Sequence, residues 1–279
     1  MAEELWSHAQ IQVHFGKTQV WNRGGIEPEG MEDLTRAARR VKPDAIVWKG
    51  PHLPPPQQGL RVLGVPIGHP EFIKEFLVKK SREHATLFDR IPWVNDPQAA
   101  YLLLLMSGSA RANFLLRTVR PDLTEEFAMR HDSAVWRCLC TILGTPSAPM
   151  DAQVLASLSF SGGGLGLASA HRVRTAAHFA SWADSLNMVR KHHPHIAATM
   201  IRNLEVGTSP SFQLVQECKD VVVDAGLDVP SWNDLSLPRP LEEAELEPNQ
   251  PKFGWQQQAS RQMERKFVSD HLWPRFDNV

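Results

Sequence analysis

At residue 70 the hydrophobic pattern of this chain changes period, and that change restricts it to a small mixed segment followed by a long helical one. Before it, Ile11, Val13 and Phe15 alternate with polar residues, the pattern of a half-buried strand. Gly24-Gly25 and Pro28 break the chain. Met31, Leu34, Ala38 and Val41 then recur at helical spacing beside Arg36, Arg39 and Arg40, and Pro43 stops that helix. Ala45 to Trp48 is a short apolar strand candidate, followed by a turn rich in proline. Leu60 to Ile67 is the next strand, and Pro66 argues for a sheet edge because proline cannot donate to a ladder.

After residue 70 apolar side chains follow helical spacing. Phe72, Phe76, His84 and Phe88 lie near one stripe, with Ile73 and Leu77 beside them. Asp96-Pro97 is an N-cap followed by proline at the first helical position, and the helix it opens runs through Leu102–Met106 towards Leu116. Gly108 weakens it. Leu123, Phe127, Ala134, Cys138 and Leu143 form a further seam, closed by Gly144 and Pro146. Residues 144–151 read as a linker. A second helical region starts near Ala168, with Val173, Ala177, Ala180 and Trp182 on one face. Ser209-Pro210 opens another helix, facing Val215, Cys218, Val222 and Ala225 inward until Gly226 ends it. Residues 227–254 read as an acidic, proline-rich loop, and a last helix spans about Gln256 to His271. The expected fold is α+β, predominantly α, divided at about 1–69, 70–145, 146–226 and 227–279.

Bulk chemistry excludes several classes. A chain of 279 residues with 42% hydrophobic content can bury a sizeable core. A net charge of −1 gives no general attraction to nucleic acid, so a phosphate-binding surface has to be local. Three cysteines form no disulfide framework and no signal peptide is legible, which implies a reducing compartment, cytosol or nucleus. The longest unbroken apolar run, Ala99 to Met106, falls short of the roughly 20 residues a membrane span needs, so no membrane partner is expected. Neither His192, His193 and His195 nor Cys138 and Cys140 has the paired spacing of a zinc site, and no metal site is expected. His131 and Asp132 read as helix-surface residues.

Two short motifs carry the functional reading. Gly16-Lys17-Thr18 is not a phosphate loop, because Ile11 stands where that motif requires glycine and Val20-Trp21 look extended rather than helical. Some forty residues later comes Val62-Leu63-Gly64-Val65. Downstream stand Arg111-Ala112, Leu115-Leu116-Arg117, His131-Asp132, the glycine-rich turn Ser161 to Leu167, and Ala180-Ser181-Trp182 in an alanine-rich helix. In this order the motifs resemble the late palm, thumb and post-thumb helices of a non-LTR (LINE-type) retrotransposon reverse transcriptase, over most of residues 8–205.

The resemblance implies a parent activity of RNA-directed DNA polymerisation. It implies a Mg2+ pair held by aspartates that would precede Met1, so the chain is expected not to polymerise alone and to need a missing palm and fingers portion. Lys17 then corresponds to a lysine near the incoming nucleotide's phosphates, a motif-D-type candidate. Leu63 and Gly64 correspond to the hairpin that grips the primer strand, and the helices from residue 70 to a thumb that tracks the template–primer duplex.

Basic residues supply the phosphate contacts such a role needs. No acidic residue occurs between Asp96 and Asp122, whereas Arg111, Arg117 and Arg120 do; Arg117 and Arg120 are spaced to share a helix face. Lys79, Lys80 and Arg82 form a second cluster. For each residue singly, an ordinary solvated helix face explains the charge as well. Two alternatives therefore stand beside the truncated polymerase: a retained RNA/DNA duplex-binding module, and a helical interaction protein or decayed gene product with no activity.

Overall fold

The computed structural model describes residues 14–145, 149–237 and 254–272. It is mostly helical, with one small antiparallel sheet among the described residues. Two compact units make up the chain, the first ending at Lys79 and the second starting at Lys80.

In the first unit α1 spans Met31–Val41. It starts from Gly30, whose φ of 79° only glycine adopts without strain. Its Met31 and Ala38 pack with Ala45, Val47 and Trp48 into a small core. The segment Ala45–Trp48 contributes a single parallel bridge rather than a strand: the Val20 amide donates to the Val47 carbonyl at 2.8 Å, and the Lys49 amide to Val20 at 2.9 Å. Ile11 and Val13 lie outside the described residues. Phe15–Lys17 is a 3-10 turn, closed by the Lys17 amide on the His14 carbonyl at 2.9 Å, so no strand runs into Gly16.

The strand read at Leu60–Ile67 is in fact a tight hairpin, β1 (Gly59–Val62) and β2 (Val65–Gly68), pairing Leu60 with Ile67 and Val62 with Val65. Both flanking glycines are sterically required. A Cβ at Gly59 would lie 2.3 Å from the Phe72 ring, and one at Gly68 would lie 2.4 Å from the Gln58 carbonyl oxygen. Helix α2 (Pro70–Arg90) follows and continues into the second unit.

The second unit opens its helical run where Asp96 accepts from the amides of Gln98 at 2.8 Å and Ala99 at 3.3 Å. From there α3 (Pro97–Leu103) passes through a π turn (Leu104–Gly108) and a 3-10 turn (Ser109–Ala112) into α4 (Asn113–Thr118). The irregular middle falls at Gly108, where a Cβ would come within 3.0 Å of Phe88. By length and composition alone, Pro97–Thr118 is the one described helical stretch apolar enough to cross a membrane, although its unbroken apolar run is short. One face of it is buried through Ala100, Leu104, Ala112 and Leu116, while Leu102, Leu103, Met106 and Phe114 are exposed.

Helix α5 (Pro121–Ile142) supplies the long seam, burying Phe127, His131, Ala134, Cys138 and Leu139. With Phe88, Leu104 and Leu167 most of these form one core. Residues 150 and 151, read as linker, begin a short helix, α6 (Met150–Ala156). A second core lies around α7 (Ala170–His192), α8 (Pro194–Val206) and α9 (Pro210–Asp224), where Phe179, Leu186, Leu204, Val215 and Val222 are fully buried.

The loop read from residue 227 is corrected over its described part. Trp232 is 2% exposed within a short helix, α10 (Trp232–Leu235), and its indole donates to Gln216 at 2.8 Å. Pro238 and the acidic stretch after it lie outside the described residues. The last helix, α11 (Trp255–Phe267), lies along α7 and ends in a π turn at Val268–Leu272.

Candidate nucleic-acid interface

At the tip of the first unit's hairpin, Leu63 has φ of 49° and Gly64 φ of 91°, the left-handed pair of a type I′ turn. Leu63 is the one non-glycine residue in that region among those described, and it is 93% exposed. A branched apolar side chain there is strained and unburied, where asparagine or glycine would be relaxed. The same ribbon places Leu60, Val62, Val65 and Ile67 on one face by its pairing, with Val62 and Ile67 both exposed. Lys17 and Lys79 are exposed on this unit.

The second unit treats its cations unequally. Arg82 and Arg111 are exposed. Lys80 is half-buried and pairs with Glu83. Arg117 and Arg120 do not share a helix face: α4 ends at Thr118, and Val119 and Arg120 are extended before α5 begins. Arg117 turns inward, donating to Asp184 at 3.0 Å and to Gln256 at 2.6 Å. Arg120 forks onto Asp122 with bonds of 3.0 and 2.8 Å. Sequence spacing brings these two arginines together; the fold separates them and neutralises both.

Behind the exposed Arg111 lies a buried pair of histidines, His84 and His131, 5.8 Å apart between ring centres and packed against Phe127 and Phe88. The reading of His131 and Asp132 as surface residues is therefore wrong for His131, which is buried, whereas Asp132 is half-buried. His131 is 4% exposed and its Nε2 lies 3.1 Å from the Ser109 carbonyl, which fixes the proton on that nitrogen. Burial, with the fields of His131, Arg111 and Lys80, pulls the His84 pKa down to about 4. Asp132 caps α7, accepting from Ser169 Oγ at 2.6 Å and from the amides of Ala170 and His171 at 2.7 and 3.1 Å.

The glycine-rich turn is held from a distance. Glu264 on α11 accepts from the Ser159 amide at 3.0 Å and its hydroxyl at 2.6 Å, and Gly163 and Gly166 take φ of 79° and 70°. Beside it a cavity of about 510 Å3 opens between α5, α6, α7 and α11. Arg172 lines it, with a side chain only 10% exposed. Its terminal nitrogens donate to the Ser157 hydroxyl at 3.3 Å and carbonyl at 2.7 Å, and its guanidinium sits 4.9 Å from the centre of the Phe267 ring. Sequence reasoning missed this arginine; two arginines beside a histidine at the start of an otherwise alanine-rich helix were the available cue.

The remaining chemistry is sparse. The three cysteines are free and buried, and burial pushes Cys138 up to about 11 and Cys218 up to about 12, so neither offers a thiolate at neutral pH. His192, His193 and His195 are exposed at the α7–α8 junction. Among the described residues no group of three His, Cys, Asp or Glu side chains comes together to hold a metal ion. No protein-family model, curated protein or solved structure matches this chain.

Proposed function

We propose that the chain is a late-palm, thumb and post-thumb fragment of a reverse-transcriptase-like retroelement protein, retaining contact with a template–primer duplex but not polymerisation. The observation that carries this reading is the hairpin tip. Leu63 bears backbone strain and full exposure that folding alone does not reward, which is how residues held for a ligand behave. The half-exposed Val62 and Ile67 extend that tip into an apolar ribbon suited to the sugar face of a strand.

Phosphate contacts in this reading fall to the exposed cations: Lys17 and Lys79 on the first unit, Arg82 and Arg111 on the second. Arg117, Arg120 and Lys80 are engaged by Asp184, Asp122 and Glu83, so they contribute less than their spacing suggests. Three phosphate contacts correspond to roughly a 40-fold loss of affinity over a fourfold rise in salt. Lys17 corresponds by resemblance alone to the motif-D-type lysine, and polymerisation would need metal-binding aspartates that the resemblance puts outside this sequence.

The test is binding of a labelled RNA/DNA duplex by the purified chain at two salt concentrations, with Arg111→Ala beside it. Salt-steep binding weakened by Arg111→Ala supports the duplex-binding module. Absence of binding at low salt favours the helical interaction protein. Template-dependent dNTP incorporation abolished by chelation overturns the inactive-fragment reading.

A further inference from the structure

We propose that the segment from Ser109 to Thr118 is a histidine-clamped element that acid releases ahead of the rest of the second unit. It consists of the 3-10 turn Ser109–Ala112 and the six residues of α4, and it follows directly on the π turn. A buried histidine from a neighbouring helix holds a backbone carbonyl near each of its ends. His131 on α5 donates from Nε2 to the Ser109 carbonyl at 3.1 Å, and His178 on α7 donates to the Arg117 carbonyl. His84 on α2 packs edge-on to His131, and Phe127 and Phe88 complete the cluster. The clamp is separate from the duplex reading and stands whether or not that reading holds, although the exposed Arg111 lies on the segment.

The three rings are 7%, 4% and 6% exposed at His84, His131 and His178, and each has a buried Nδ1 with no hydrogen-bond partner among the described residues. In a neutral ring protonated at Nε2 that atom is a bare acceptor. A second proton makes it a donor with nothing to receive it, and puts a charge among apolar groups. The surrounding charges do not compensate. Lys80, Arg111 and His131 all oppose a proton on His84, while Glu83, which favours it, is engaged by Lys80. Asp132 favours a charge on His131 but gives both oxygens to the start of α7. At His178, Arg120 and Asp122 act in opposite senses and are bonded to each other. Relief comes from opening, and the segment is the element that gives way. α5 and α7 are helices of 22 and 23 residues, whereas the segment is two short irregular pieces with Ala110, Arg111, Asn113 and Phe114 towards water.

The test is hydrogen exchange of the full chain, read by mass spectrometry at pH 7.5 and 5.5 and corrected for the intrinsic pH dependence of amide exchange. The His84 pKa moves from about 4 in the closed segment to about 6.5 in the open one. Protection over residues 109–118 is therefore expected to fall by about tenfold or more at pH 5.5, while α8 and α9 keep theirs. His84→Leu, which cannot take the proton, is expected to lessen that loss by about tenfold. Should it fail to fold, the ring signals of the parent chain decide by NMR, because His84 is expected to titrate only as the segment opens. Full protection at pH 5.5, a loss spread evenly over α5, α8 and α9, an unchanged acid response in a folded His84→Leu variant, or His84 titrating at its ordinary pKa with the segment still protected would each overturn the proposal.

Discussion

Arg117 donates to Asp184 at 3.0 Å across 67 residues of chain, and the same guanidinium reaches Gln256 on α11 at 2.6 Å. One side chain thus ties α4, α7 and α11 together. Both partners are under a third exposed, so the pair is worth more than a surface bridge. Asp184→Ala leaves Arg117 half-buried without its counter-charge and is expected to cost about 1–3 kcal/mol in urea unfolding. Duplex affinity of Arg117→Met, corrected for the folded fraction, is expected to stay near that of the parent chain. A selective loss of affinity in that variant, with stability intact, contradicts the structural role.

Stability is expected to fall in acid because burial lowers the pKa of three histidines in the fold, His84, His131 and His178. His84 and His178 are both held down to about 4, chiefly by burial; a hydrogen bond from His178 to the Arg117 carbonyl offsets part of its shift. The folded pKa lies below the unfolded value near 6.5, so the unfolded chain binds more protons between those limits. Their contribution is complete above pH 6.5 and is lost progressively as pH falls towards 4. Each such histidine adds a slope of up to about 1.4 kcal/mol per pH unit. Urea unfolding at pH 7.5 and 5.0 measures it, and His84→Leu, which cannot protonate, is expected to flatten the slope.

How far the sequence discloses this molecule differs by element. Local rules locate α1, whose apolar spacing and Pro43 stop agree, and α9, with Ser209-Pro210 before it and Gly226 after. They also place the Asp96 cap, because capping is decided within three residues. They fail where a long-range partner decides. Trp232 sits among prolines and acidic residues, and only the groove beside Phe179 and Gln216 makes it core. For the candidate site, spacing reveals the charges of Arg117 and Arg120 but not the carboxylates that consume them, which come from α7 and from α5. Residues Leu60 to Ile67 read as one strand, so neither the turn at Leu63-Gly64 nor the strain on Leu63 is legible in the apolar pattern; only the family resemblance implies a hairpin there.

Removing the core indole tests that correction directly. Trp232→Ala deletes a side chain 2% exposed, packed on Phe179 and bonded to Gln216. The expected loss is about 3–5 kcal/mol, the range for large aromatic deletions from a core. A loss under about 1 kcal/mol in chemical denaturation means that this segment does not belong to the core.

Asp132 offers a way to unseat α7 without touching its apolar face. Its carboxylate receives the Ser169 hydroxyl and two amides at the helix start, where charge also favours the helix dipole. Asp132→Ala is expected to cost about 1–2 kcal/mol. Asp132→Asn keeps an acceptor but loses the charge, and should fall between that variant and the parent. Thermal melts of the three proteins order them, and an Asn variant as damaged as the Ala variant argues that charge outweighs the bonds.

Leu63→Asn separates folding from function at the hairpin tip. Asparagine tolerates positive φ and is favoured at the first central position of a type I′ turn, so the substitution relieves strain. It removes a side chain that is 93% exposed and therefore little used in packing. Stability is expected to rise by about 0.5–1 kcal/mol. If the tip meets a nucleic-acid strand, duplex affinity falls in the same variant, moving opposite to stability. Gly64→Ala gives the contrast, losing stability at φ of 91° without removing the leucine. Leu63→Asn binding as tightly as the parent while melting higher would make the leucine a tolerated flaw, and the duplex reading would lose the observation that carries it.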